Sequence, residues 1–478
     1  MPIQPVDNSY FDSKEFKEDL RRYEEMIHGG ETTYLDSEQL TDIAEYYHSR
    51  GKIDDAVSVA TYAIDLFNGA TAPLVFMARM MLVRDNNPES AEEYARQIED
   101  KSDLDYYYIE AEIMIAKGQY TEANEYLHSC FDTLEDPLDR SDFILDAATL
   151  MADYEQMEMA HEWLKQSNET ECNDYQEALG RILFSKGDYA ESERIFTRLI
   201  DENPFSAYYW NQLSASQLMQ DNIHEAITSS EYALAIDPND EEAILNKANG
   251  LLMLYNYEEA LRYYHQYSEL HPLEAVGDLY QGICLFNLNR LEEAIEHLKK
   301  AEVNYRGENK QYQQEIYQEL AFALSRSGRL DEALYYVNKT DDIDCNHEEM
   351  MVLKGHLYLE HQRIDEAQMC FQKAVDASKM SPDILLRIAI SVYDNNYINL
   401  AYNMFYSLLE ASDGNIHDGY SYLAVCAYEL GNYDDYLQYL RKAIIENPRE
   451  ARNVLNGLFP EDMEPERYYE EAKRQLKK

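Results

Sequence analysis

Residues 207–240 read AYYWNQLSASQLMQDNIHEAITSSEYALAIDPND. Two apolar runs at helical spacing flank the break at Asp221, and Pro238 closes the second. The pattern recurs. Pro204, Pro238 and Pro272 are 34 residues apart, as are Ala226, Ala260 and Ala294. Trp210, Ile244 and Asp278 hold the fourth position of successive units, although only the first is aromatic. A fixed period of this length is the mark of a repeat array.

Carried along the chain, the register predicts a turn residue in the middle of each of about twelve units. These are Gly51, Asp85, Gly118, Glu155, Gly187, Asp221, Tyr255, Asn289, Gly328, Gln362, Asn396 and Gly431. Most are Gly, Asn or Asp, which tolerate a left-handed backbone at a helix end. About five residues later a small residue marks the packing face of the second helix: Ala56, Ala123, Ala160, Ser192, Ala226, Ala260, Ala294, Ala333, Ala367 and Ala401. In the second unit this alanine slips to Ala91, and in the last Tyr436 takes its place.

A pair of short amphipathic helices buries one apolar stripe and leaves a face bare, which the next pair covers. Small residues on the first helices, such as Ala44, Gly180, Gly282 and Gly355, let backbones approach. Phe196, Tyr264, Leu298, Phe371, Phe405 and Leu440 on the second helices fill the space beside them.

The expected organisation is an N-terminal segment with a capping helix over 1–36, the repeat array over 37–448 and capping helices over 449–478. The turn-to-turn spacing lengthens to 39 residues between Asn289 and Gly328. This predicts a lengthened joint near 302–313, either a longer loop or an extended helix end, where the array flexes.

Composition supports an all-α chain: 17 glycines and 12 prolines in 478 residues are few for a turn-rich β fold. Acidic residues outnumber basic ones 92 to 41, a formal charge of −51, which repels nucleic acid and anionic membranes and steers a basic partner or simply keeps copies apart. The first residues lack a basic region followed by an apolar core, and no apolar run approaches membrane-spanning length. None of the six cysteines forms a C-x-x-C pair. The expected location is cytoplasmic.

The unit at 207–240 resembles the tetratricopeptide repeat (TPR): Trp210, Leu213, Ser214, Ala226, Ala233 and Pro238 stand where that pattern has an aromatic, a leucine, a small residue, two alanines and a proline. The resemblance extends over 37–448. It implies an all-α fold, an α-α superhelix (TPR solenoid) of about twelve helix–turn–helix repeats with helical end caps. It also implies a concave groove, lined by the first helices, that binds an extended peptide or a partner helix.

At groove-facing positions the lysines of the family's carboxylate clamp are absent. Tyr208, Asn211, Asn246, Asn249, Tyr280 and Tyr422 are the candidate partner-binding residues. Asparagines there would hydrogen-bond a peptide backbone, and tyrosines would supply contact area at low entropic cost. Around them Glu112, Glu177, Arg181, Glu315, Glu319 and His356 make the groove acidic and aromatic, suited to a basic or amphipathic segment.

No nucleotide-cradling loop, H-E-x-x-H pair or catalytic constellation is legible, so no enzyme activity, cofactor or metal is expected. His356 and His361 are five apart and fall off one helical face. The run DDIDCNHEE, Asp341–Glu349, has alternate acids but His347 in place of the required glycine and Leu353 in place of the terminal glutamate. It is read as a capped inter-repeat loop. The primary expectation is a protein-binding scaffold or adaptor. The alternative is a structural subunit acting through outer faces or caps.

Overall fold

The structure is a computed structural model describing residues 8–476 except 12, 29–33, 85, 308–309, 341–342, 344–345, 413–414 and 461–462. Among the described residues it is all helical, with no strand. Twelve helix pairs occur in the predicted phase, from Ser37–Ser49 with Ile53–Leu66 to Tyr420–Glu429 with Tyr433–Glu446.

The turns explain the phase. Of the twelve expected turn residues, eleven have positive φ, from Tyr255 at 59° to Gly187 at 82°. Asp85 lies outside the described residues; its neighbour Asn86 has φ 44°. The eleven turns close a helix in the same way: the N–H of Asn222 reaches back to the Gln217 carbonyl at 2.9 Å, and that of Asp221 to Leu218 at 3.1 Å. The arrangement satisfies carbonyls that the helix end leaves open.

The packing residues lie where the pattern put them. Ala56, Ala91, Ala123, Ala160, Ser192, Ala226 and their later counterparts are fully buried, and Tyr436 nearly so. A Cβ on Gly180 would meet the Phe196 ring at 2.8 Å, and one on Gly282 the Leu298 side chain at 2.5 Å. The short side chain of the first helix and the long one of the second therefore form a single fitted contact.

The chain forms two compact units, Met1–Pro238 and Asn239–Lys478, of six repeats each. In the first, helix Lys14–Ile27 covers the leading face: the Phe11 and Phe16 rings stand 4.8 Å apart and both pack on Tyr46. Ser13 caps this helix by accepting from the Phe16 N–H. Trp163 is buried and stacked on His128 at 4.1 Å, and its indole N–H donates to Asn124 Oδ1 at 2.8 Å.

In the second unit, the helices Pro448–Leu455 and Tyr468–Leu476 bury Ala451, Leu455, Tyr468 and Ala472 with the last repeat. Glu450 accepts from the backbone N–H groups of Gly419, at 2.7 Å, and Ser421, at 3.2 Å. It thereby supplies the start of helix Tyr420–Glu429 with the acceptor its own N-cap, a glycine, lacks. The lengthened joint lies inside this unit. The eighth repeat ends at Asn304, and the first helix of the ninth is drawn out to 17 residues, Lys310–Arg326. The unit also turns back on itself: the Tyr255 hydroxyl donates to Asn453 Oδ1 at 3.1 Å, joining its first repeat to its terminal helices.

Candidate functional site

In the first unit the position after the small residue of the first helix is charged in four of the six repeats, as Glu45, Arg79, Glu112 and Arg181, and is Thr149 and Ala215 in the other two. Stacking of neighbouring repeats brings charged side chains together. Arg79 pairs with Glu112 at 2.9 Å, and Arg181 with Asp153 at 2.8 Å. The Tyr108 hydroxyl donates to Asp146 at 2.8 Å. Both arginines are thus occupied, while further carboxylates crowd the same face.

The electrostatic consequence is uniform. Burial, reinforced by Asp42, pushes Glu45 up to about 7. Burial also raises Asp105 and Asp146 above the ordinary carboxylate range, against the pull of Arg79 and of the Tyr108 hydroxyl respectively. Glu177 is raised by burial despite Arg181 and a hydrogen bond from Tyr209. Such a face gains from any cation that arrives.

The second unit repeats the theme with more aromatics. Burial, then Glu315, lifts Glu319 to about 7. Burial lifts Asp394 to about 6 even though Arg326 draws it down. Arg326 lies over the Phe286 ring at 4.7 Å, and Phe322 sits edge-on to His356 at 5.7 Å. Burial holds His356 below its ordinary value, favouring the neutral ring.

The six residues expected to bind a partner fall into two groups. Tyr208, Asn249, Tyr280 and Tyr422 are half-buried. Tyr280 stacks on Tyr264 at 5.2 Å and Tyr422 on Phe405 at 5.3 Å, so each has one ring face engaged by the fold. Asn249 Oδ1 accepts from the Tyr264 hydroxyl at 2.7 Å. Asn211 and Asn246 are only 2% and 9% exposed. Asn211 belongs to the first unit and the other two asparagines to the second.

The sequence reading passed over Glu45, Arg79, Asp105, Asp146 and Asp394. The signal for the first two was present, since they occupy one register column. His356 and His361 part ways, His356 toward Asn395 and His361 toward Ser325. In the Asp341–Glu349 run, Asp341, Asp342, Asp344 and Cys345 lie outside the described residues, and Asn346 caps the next helix by accepting from the Glu349 N–H. No helix among the described residues is long and apolar enough to cross a membrane.

With the repeat geometry in view, sequence comparison identifies the family. Tetratricopeptide-repeat models match residues 177–241, 245–309, 348–379 and 418–449. The chain is a tetratricopeptide-repeat protein, of a family and fold that typically form non-catalytic scaffolds for protein interaction. No curated protein matches the sequence. Similar solved structures include yeast Tom70, at 13% identity over 92% of this chain and 96% of that one, with a TM-score of 0.43. Cut9 in the APC/C hetero-tetramer Cut9–Hcn1 matches at 15% identity over 94% of each chain, with a TM-score of 0.40. MamA from Desulfovibrio magneticus RS-1 matches at 19% identity over 36% of this chain and 93% of that one, with a TM-score of 0.33.

Proposed function

We propose that the protein is a non-catalytic cytoplasmic scaffold or adaptor whose first-helix faces form a groove for a basic or amphipathic segment of a partner protein. The observation that carries this reading is the row Glu45, Asp105, Asp146 and Glu177, carboxylates raised by burial on a face whose arginines are already paired. A lysine or arginine entering there meets negative charge that water does not fully screen. In the first unit Tyr208 offers its ring edge to an apolar side chain of such a segment, and the nearly buried Asn211 lies in the same helix. In the second unit Tyr280 and Tyr422 offer ring edges to a segment bound there, Asn249 offers its amide, and the nearly buried Asn246 lies in the same helix as Asn249. The acidic surface disfavours nucleic acid and anionic membranes as partners.

The test is fluorescence anisotropy of a labelled Lys/Leu amphipathic peptide with the full chain. Binding is expected to weaken at least tenfold in the Glu45→Gln, Asp105→Asn, Asp146→Asn, Glu177→Gln variant, and to weaken with salt in the native protein. Equal affinity of the two proteins contradicts the reading.

A structural role through outer faces is the second reading, favoured by the large apolar side chains Leu273 and Val303, both exposed in the second unit. Light scattering separates the two, because a concentration-independent dimer of the isolated chain through residues 449–478 favours this reading of a subunit that assembles through its outer faces or caps.

A further inference from the structure

The second helix of the ninth repeat, Leu330–Lys339, has ten residues where those of the eighth and tenth, Leu291–Asn304 and Ile364–Ala377, have fourteen. One helical turn is missing from the outer row. Among the described residues the first helix of the tenth repeat, His347–Glu360, is left partly uncovered beneath it, and a cleft of about 370 Å³ opens there. Its apolar lining includes Met351, Tyr358 and Met369, the last 61% exposed.

Among the described residues that line this cleft, lysines outnumber carboxylates, opposite to the balance of the whole chain. Lys354 and Lys373 line it, and among the described residues neither forms an ion pair; Lys354 donates only to Asn338 Oδ1, at 2.7 Å. The lining carboxylate, Glu366, is already held by the Arg363 guanidinium at 2.6 Å. Both lysines stand close enough to Cys370, at the cleft wall, to draw its thiol down against the upward push of burial. In a protein with 92 acidic and 41 basic residues, two uncompensated ammonium groups beside a methionine-lined hollow are out of character.

We propose that this cleft is a second docking site, on the second-helix side of the array, for an acidic segment of a partner protein that presents an apolar side chain between carboxylates. The apolar side chain enters between Met351, Met369 and Tyr358, where unbranched thioethers adapt to its shape. The flanking carboxylates meet Lys354 and Lys373. The volume is at the small end of ligand sites, matching one or two side chains rather than a cofactor. The site selects the charge opposite to that of the groove proposed above, so the two stand or fall separately.

The probe is a fluorescein-labelled hexapeptide, acetyl-Asp-Glu-Leu-Phe-Asp-Glu-amide, titrated with the full chain at low and high salt. Saturable binding is expected, weakened at least tenfold by the Lys354→Glu, Lys373→Glu variant and severalfold by Met369→Ala. The helical circular dichroism and melting temperature of the lysine variant should match those of the native chain, which shows that the variant is folded. Absence of saturable binding overturns the proposal, as does equal binding by the lysine variant. Laurate binding more tightly than the peptide at the same residues overturns the assignment to a protein segment.

Discussion

Gly355 lies so close to the Phe371 ring that a Cβ on it would stand 2.3 Å from Phe371 Cε1. The relation recurs between Gly180 and Phe196 and between Gly282 and Leu298, always from a first helix to the second helix of its own repeat. Replacing Gly355 by alanine forces the ring or the backbone to shift, and overpacking of this kind destabilises by about 1–3 kcal/mol. Urea unfolding of Gly355→Ala should show that loss. Gly457→Ala, at a site with open space and no positive φ, should stay within about 0.5 kcal/mol of the native chain.

Gln362 carries the opposite liability. Its φ is 60°, a conformation that costs a residue with a Cβ about 1–2 kcal/mol. Gln362→Gly should therefore stabilise the chain by about 1 kcal/mol in the same measurement. A loss of stability would mean that the turn draws on the glutamine side chain.

Glu319 makes stability depend on pH. Its folded value is about 7 against an ordinary 4.5, so between those values the folded chain binds more protons than the unfolded one. Stability from this group is full below pH 4.5 and is lost as pH rises through 7. Glu319→Gln should flatten the fall across that window and raise the melting temperature at pH 8. An unchanged profile would place the titration elsewhere.

Glu450 ties the terminal helices to the last repeat through two backbone N–H groups. Glu450→Ala leaves those donors without an acceptor, at a cost of about 1–3 kcal/mol. Hydrogen exchange should speed up across Tyr420–Glu429 and Pro448–Leu455 while the first unit keeps its rates.

The turn residues show how much of the fold the sequence exposes. Tyr255, Gln362 and Glu155 are poor choices for positive φ by residue type, yet all three adopt it, because the period placed them and not their propensity. Caps, packing alanines and the glycine–aromatic contacts were legible for the same reason: each belongs to a single repeat or to neighbours. The candidate site was legible only in part. Its residue types could be read from first-helix positions, but not the depth of Asn211 and Asn246, nor the Arg79–Glu112 pairing that removes the cations from the face. The Tyr255–Asn453 contact spans six repeats and leaves no local trace, because it depends on small rotations summed along the unit. The outer cleft follows from one shortened helix, whose end the pattern did not mark.

The most direct test of the central claim, that first-helix faces hold the partner, is site-specific photo-crosslinking in cells. Benzoylphenylalanine would replace Tyr208, Tyr280 or the exposed second-helix residue Thr228, and the adducts would be identified by mass spectrometry. The account predicts one shared partner, captured through a lysine- or arginine-containing segment, at Tyr208 or Tyr280 and not at Thr228. Capture at Thr228 with none at the two tyrosines would contradict it.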